Sequence, residues 1–192
     1  MRGGEEAANR ETVEVAAHFL GKGVCAVDLA GAEALYPTQE YQSLFAYAQS
    51  LGVPFTLHAG EAAGPESVWQ ALELGAARIG HGVRAGEDPR LVEELARRRV
   101  PLELCPTSNL QTKAVPDLAR FPLKEYLAQG VAATVNTDNM TVSRTTLAQE
   151  FASLRLSPQE RRAVLLHSVE AAFLPPAQKA ALRQAVEAAL AH

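Results

Sequence analysis

Apolar runs of strand length alternate along this chain with segments whose apolar residues recur at helical spacing. Residues 5–21 are rich in Glu and Ala, place Val13, Ala16, Ala17 and Leu20 on one face, and end at Gly21 and Gly23, which predicts a helix. Residues 24–29 read as a strand, 41–51 as a helix with an aromatic and aliphatic stripe, and 53–57 as a second strand. A helix is expected over 66–74 after Gly64-Pro65, a short strand over 77–79, a helix over 89–99 with Asp88 as N-cap, and a strand over 100–104. A long loop leads to a helix over 123–129 and a last strand over 131–135. Residues 145–190 read as helices broken at Leu156-Ser157-Pro158 and Leu174-Pro175-Pro176, the last an Ala-rich tail that is either docked or partly loose.

Strands separated by helices of this length imply parallel βα units with right-handed crossovers. The expected fold class is α/β: a partial TIM (β/α) barrel of about five parallel strands with outer helices, in a single domain over 1–192. The 192 residues are fewer than the roughly 250 typical of a complete eight-stranded barrel.

Four of the strands end in chemistry. His58 and Glu61 close the second run, His81 the third, Cys105-Pro106-Thr107-Ser108-Asn109 the fourth and Thr137-Asp138-Asn139 the last. The C-terminal ends of barrel strands are where such folds keep their catalytic groups. A hydrolytic zinc site takes nitrogen and oxygen donors around an open position, and His58 and Asp138 are of the right types. Glu61 lies beyond His58 on the same loop, where a carboxylate can shuttle protons, and His81 ends the next strand. Each residue also has a plainer reading: a histidine after an apolar run is often a hydrogen-bonded structural residue, Asp138 fits a turn or helix cap, and Gly31 fits a tight turn. His18 and His167, on helices, are weaker candidates.

The net charge of −4 and the dispersed basic residues leave no footprint for nucleic acid. Arg97-Arg98-Arg99 falls at a helix C-terminus, where cations favour the dipole. Cys25 and Cys105 lie in or at the end of apolar runs, so buried thiols in a reducing cytoplasm are expected. No run approaches the apolar length of a membrane span and no signal segment is read, so the expectation is a soluble cytoplasmic protein.

Five pieces together resemble the adenosine deaminase family of the amidohydrolase superfamily, zinc-dependent barrel enzymes of purine salvage. They are Asp28-Leu29-Ala30-Gly31-Ala32-Glu33, His58-Ala59-Gly60-Glu61, Ile79-Gly80-His81-Gly82, Leu104-Cys105-Pro106-Thr107-Ser108-Asn109 and Val135-Asn136-Thr137-Asp138-Asn139, in the family's order and with family-like spacing. The resemblance implies Zn2+ as cofactor, with His58 and Asp138 as ligands. It implies that Glu61 protonates the purine ring nitrogen next to the amino-bearing carbon, and that His81 orients and helps deprotonate the attacking water. Gly31 is then the residue whose backbone meets the purine. Asn139 stands where many members carry a second aspartate, and its amide offers a donor to an acceptor ring nitrogen. The implied reaction converts adenosine to inosine and ammonia.

Full-length members begin with a strand whose His-x-His pair supplies two further zinc ligands, and nothing here matches it. Met1-Arg2-Gly3-Gly4 resembles the end of the family's third strand and its loop. Two ligands hold zinc more weakly than the three usual in catalytic sites. A barrel lacking strands also leaves sheet edges, which implies a homo-oligomer or an N-terminal partner polypeptide covering them. Two other functions stay open: a non-catalytic remnant serving as an interaction module, and a deaminase of another aminopurine.

Overall fold

The computed structural model describes residues 2–191, and the chain divides into two compact units, Met1–Leu91 and Val92–His192. Five parallel strands alternate with helices along it, three in the first unit and two in the second.

The first unit runs α1 (Glu6–Phe19), β1 (Val27–Leu29), a 3-10 turn (Thr38–Tyr41), α2 (Gln42–Ser50), β2 (Phe55–Ala59), α3 (Pro65–Glu73), β3 (Arg78–His81) and the start of α4 (Pro89–Arg98). β1 pairs with β2 and β2 with β3, both parallel, with Leu29 opposite Leu57 and Leu57 opposite Ile79. These three side chains are fully buried and Phe55 is nearly so, with its ring 4.6 Å from that of Phe45 on α2. Burying one such side chain contributes about 1.5–3 kcal/mol. Pro65 opens α3 at a position where its missing N–H costs nothing, and Asp88 caps α4 by accepting the Arg90 N–H at 3.0 Å.

The second unit contains β4 (Leu102–Leu104), α5 (Pro106–Gln111), α6 (Leu123–Ala128), β5 (Ala133–Val135), α7 (Met140–Ser143), α8 (Leu147–Ser153), α9 (Pro158–Ala171) and α10 (Pro176–Leu190). β4 and β5 pair in parallel, Leu104 opposite Val135. The stretch after Cys105, expected as loop, begins with α5, because Pro106 takes a first-turn position and the following N–H groups find acceptors. α9 starts in a full capping box of Ser157 and Glu160. The Ala-rich tail is docked: α10 pairs with α9 through Arg183–Glu170 at 2.5 Å and Arg162–Glu187 at 3.3 Å, with no buried residue of its own.

Both cysteines are free, but only Cys105 is buried; Cys25 is exposed, contrary to expectation, because residues 24–26 precede the paired part of β1 and stay outside the core. No described helix is long and apolar enough to cross a membrane.

His167 on α9 donates from Nδ1 to the Ala133 carbonyl of β5 at 3.2 Å. Burial lowers its pKa below the ordinary 6.5, the hydrogen bond opposes that, and the nearby Arg99 adds to the lowering. With the folded value below the unfolded one, the unfolded chain takes up this proton first. The stability His167 contributes is therefore complete above about pH 6.5 and is lost as pH falls from there through the folded value. Thermal unfolding followed from pH 8 to pH 5 should show a steeper loss for the natural chain than for His167→Gln; parallel curves would remove His167 from the account.

Candidate active site

The register of β2 against β3 sets His58 opposite Gly80 and Ala59 opposite His81. The two imidazoles meet edge to face with centroids 4.8 Å apart. The pair fits because residue 80 has no side chain: a Cβ there would stand 2.5 Å from His58 Cδ2. Gly80→Ala should therefore displace the His58 ring and cost about 1–3 kcal/mol, the usual penalty of overpacking. Chemical denaturation measures it, and an unchanged midpoint would show that the ring has room to move.

His58 Nε2 lies 3.0 Å from Oδ2 of Asp28 on β1. His81 Nε2 lies 3.4 Å from Glu61 Oε2, with the His81 side chain buried and that of Glu61 one-fifth exposed. His81 holds a left-handed backbone at φ 64°, which turns the chain sharply where β3 ends. Such a conformation costs a non-glycine residue about 1–3 kcal/mol and is found preferentially at functional sites. Gly60, at φ 69°, makes the matching turn after β2, and there a Cβ would meet Val68 Cγ2 at 2.6 Å.

Two residues without an expected role support this cluster. Glu33 is buried beneath the loop that carries Glu61 and accepts the N–H groups of Gly60 at 2.8 Å, Glu61 at 3.1 Å, Ala62 at 2.7 Å and Ala63 at 3.1 Å, together with the Ser67 hydroxyl. Burial pushes its carboxyl up, but the bonds from Ser67, Ala63, Ala62 and Gly60 outweigh that and hold it below the usual carboxylate range. Arg2, also buried, donates to the His58 carbonyl at 2.5 Å, to Thr38 Oγ1 at 3.3 Å and to the Tyr36 carbonyl. Gly31, at φ 128°, brings its backbone against Arg2, whose Cβ lies 3.0 Å from where a Gly31 Cβ would be.

Asp138 and Asn139 belong to the second unit. Asp138 holds a left-handed backbone at φ 54°, and its Oδ2 accepts the Ser108 hydroxyl of α5 at 2.6 Å. Asn139 is the N-cap of α7, its Oδ1 accepting the N–H groups of Thr141 at 3.1 Å and Val142 at 3.0 Å. The cap uses the carbonyl oxygen and not the amide nitrogen. Asn109 Oδ1 accepts the Cys105 N–H at 3.1 Å. The fully buried Glu150 accepts the Thr107 N–H at 3.0 Å and the Thr145 hydroxyl at 2.5 Å, fixing the turn after β4.

His58, Glu61 and His81 are thus brought together, with Asp28 beside them. Imidazole nitrogen and carboxylate oxygen are donors zinc accepts, so the residue types fit that metal. Their number does not complete a site: among the described residues no group of three or more His, Cys, Asp or Glu side chains is arranged to hold a metal ion.

The chain is similar along nearly its whole length to known purine deaminases. The chain is 54% identical over 182 residues to an adenosine deaminase of Haemophilus ducreyi, covering 91% of this chain and 53% of that protein. It is 44% identical over 188 residues to an adenosine deaminase of Klebsiella pneumoniae, covering 95% and 56%. It therefore spans about half the length of these relatives. Among solved structures, adenine deaminase from Arthrobacter aurescens superposes with a TM-score of 0.87 at 30% identity, covering 96% of this chain and 58% of that one. An Arabidopsis N6-mAMP deaminase superposes with a TM-score of 0.85 at 28% identity, covering 97% and 57%. The fold is a partial (β/α) barrel with outer helices, as expected. The sequence profile described as adenosine deaminase matches residues 1–189, and the chain belongs to the adenosine deaminase family.

Proposed function

We propose that this chain works as a zinc-dependent hydrolase of aminopurines, taking adenosine and water to inosine and ammonia. The observation that carries the reading is the 3.4 Å approach of Glu61 Oε2 to His81 Nε2 at the adjacent ends of β2 and β3, beside the His58 ring. Replacing an amino group on a purine carbon by oxygen needs one group that gives a proton to the ring and one that takes a proton from water. A carboxylate and an imidazole within reach of each other can divide that work.

In this reading His58 and Asp138 would be zinc donors. Zinc, when bound, supplies a nucleophile at neutral pH. Glu61 delivers a proton to the ring nitrogen beside the amino-bearing carbon, so that electron density from the attacking water is accepted by the ring. His81 orients that water and takes its proton, then passes it to the amino group so that the carbon–nitrogen bond breaks and ammonia leaves, while the new hydroxyl on that carbon returns a proton to Glu61. The Gly31 backbone and the Asn139 amide hold the purine. The free thiols fit a reducing cytoplasm.

A second substrate within the class is favoured by the likeness to an adenine deaminase and an N6-mAMP deaminase. Adenosine, adenine and N6-mAMP offered in parallel to the zinc-supplemented protein separate the cases by ultraviolet absorbance. Adenosine is expected to turn over fastest. A faster rate on either of the others reassigns the substrate, and no conversion of any by protein shown to hold zinc leaves the non-catalytic interaction module as the better reading.

The proposed partner is a second copy or an N-terminal polypeptide. β1 pairs with β2 and β5 with β4, so among the described residues each of β1 and β5 has one strand partner, and an open edge is a site for further pairing. Size-exclusion chromatography with light scattering should report a dimer or larger assembly of the isolated chain; a well-folded monomer would count against self-association.

A further inference from the structure

We propose that Glu33 is a positioning residue for Glu61, its carboxylate holding the turn after β2 in the one shape that brings Glu61 against His81. The inference rests on the reading of Glu61 as the proton donor.

The geometry is unusually demanding. Four consecutive backbone N–H groups, from Gly60 to Ala63, converge on one side chain that is 5% exposed. Oε1 takes Gly60 and the Ser67 hydroxyl, while Oε2 takes Glu61, Ala62 and Ala63. Buried N–H groups must find acceptors, and in this turn the acceptor comes from a residue 27 positions earlier in the chain than the first of them. An anion is the only side chain with acceptor capacity at both ends and no donor at either. Ser67 lies in the first turn of α3, so the same carboxylate also ties that helix to the turn. Glu61 is the second residue of the turn. Its own N–H is one of those captured, which fixes the backbone from which its side chain reaches His81 at 3.4 Å. The hydrogen bonds of Glu33 run to the backbone of residues 60–63 and to Ser67, so it acts on Glu61 through the backbone.

Glutamine is nearly isosteric but carries N–H groups at one end. Whichever way it sits, a donor faces donors: either the Glu61 to Ala63 set or Gly60 loses its acceptor. In Glu33→Gln, amide exchange of residues 60–63 should accelerate by about tenfold or more relative to the rest of β2. Cross-relaxation between the Glu61 side chain and the His81 ring should disappear. The kcat for the aminopurine should fall on the order of 10²-fold, with KM changing far less, because what is lost is alignment of a reacting group. Glu33→Asp keeps the anion but draws it back by one carbon; it should recover part of the protection and part of kcat.

The two readings fail separately. If the natural chain converts no aminopurine, the proposed activity fails, while exchange and cross-relaxation still test Glu33. Slow amide exchange at 60–63 in Glu33→Gln, or a persisting contact between Glu61 and His81, would overturn the positioning role, as would an unchanged kcat in an active protein. Should Glu33→Gln not fold, Glu33→Asp bears the test alone: full protection with full kcat overturns the proposal, and partial loss of both supports it.

Discussion

Glu61→Gln is expected to lower the rate of adenosine conversion by roughly 10²- to 10⁴-fold, the range over which a positioned acid or base contributes. The substitution keeps the size of the side chain and its capacity to hydrogen-bond, and removes only its ability to move a proton. Because Glu61 is one-fifth exposed and its backbone is held by Glu33, the variant should fold as the natural chain does. A large loss of rate with an unchanged unfolding midpoint is therefore the predicted pair of results. An unchanged rate would take the proton-donor role from Glu61, and a collapsed midpoint would show that the residue is structural.

His58→Ala is expected to weaken zinc binding by well over about 10²-fold, and Asp28→Asn by only about 10- to 100-fold. The contrast separates a ligand from its support. Metal-bound histidines commonly give their other nitrogen to an oxygen acceptor, and losing that acceptor costs less than losing the donor itself. Asp28 Oδ2 lies 3.0 Å from His58 Nε2 and belongs to the neighbouring strand, so both substitutions act within one small region. Competition with a chromophoric chelator measures both affinities. Equal losses would mean that Asp28 and His58 are ligands of the same rank, and no loss in either would place the metal elsewhere.

The strand and helix order was readable because parallel strands with two buried faces leave near-continuous apolar runs, as in β2 and β5. The boundaries were less so. Val53 and Pro54 belong to the apolar run of β2, yet the paired register starts at Phe55; Val131 and Ala132 precede β5 in the same way. An apolar residue can be buried one or two positions before the ladder begins, as Val53 and Val131 are, and composition does not distinguish the two. The same ambiguity misplaced Cys25. The short helix α5 was hidden because six residues are too few for a helical period to show.

At the site, His58, Glu61 and His81 were legible as polar groups ending apolar runs, and they do meet. Glu33 and Arg2 were not, although both lie in family-like stretches of the sequence. Most of their partners are backbone groups far along the chain, and a hydrogen bond to backbone leaves no trace in the identity of the partner residue. Gly80 is the exception: a glycine next to a strand-end histidine hints at a close approach, and the His58 ring fills that space.

Mass spectrometry of the purine product formed from adenosine in water enriched in oxygen-18 tests the central claim most directly. The account predicts inosine that has gained one solvent oxygen at the carbon that bore the amino group, with one ammonia released per product and both signals lost in Glu61→Gln. Zinc-loaded protein that releases no ammonia, or a product without solvent oxygen, would contradict it.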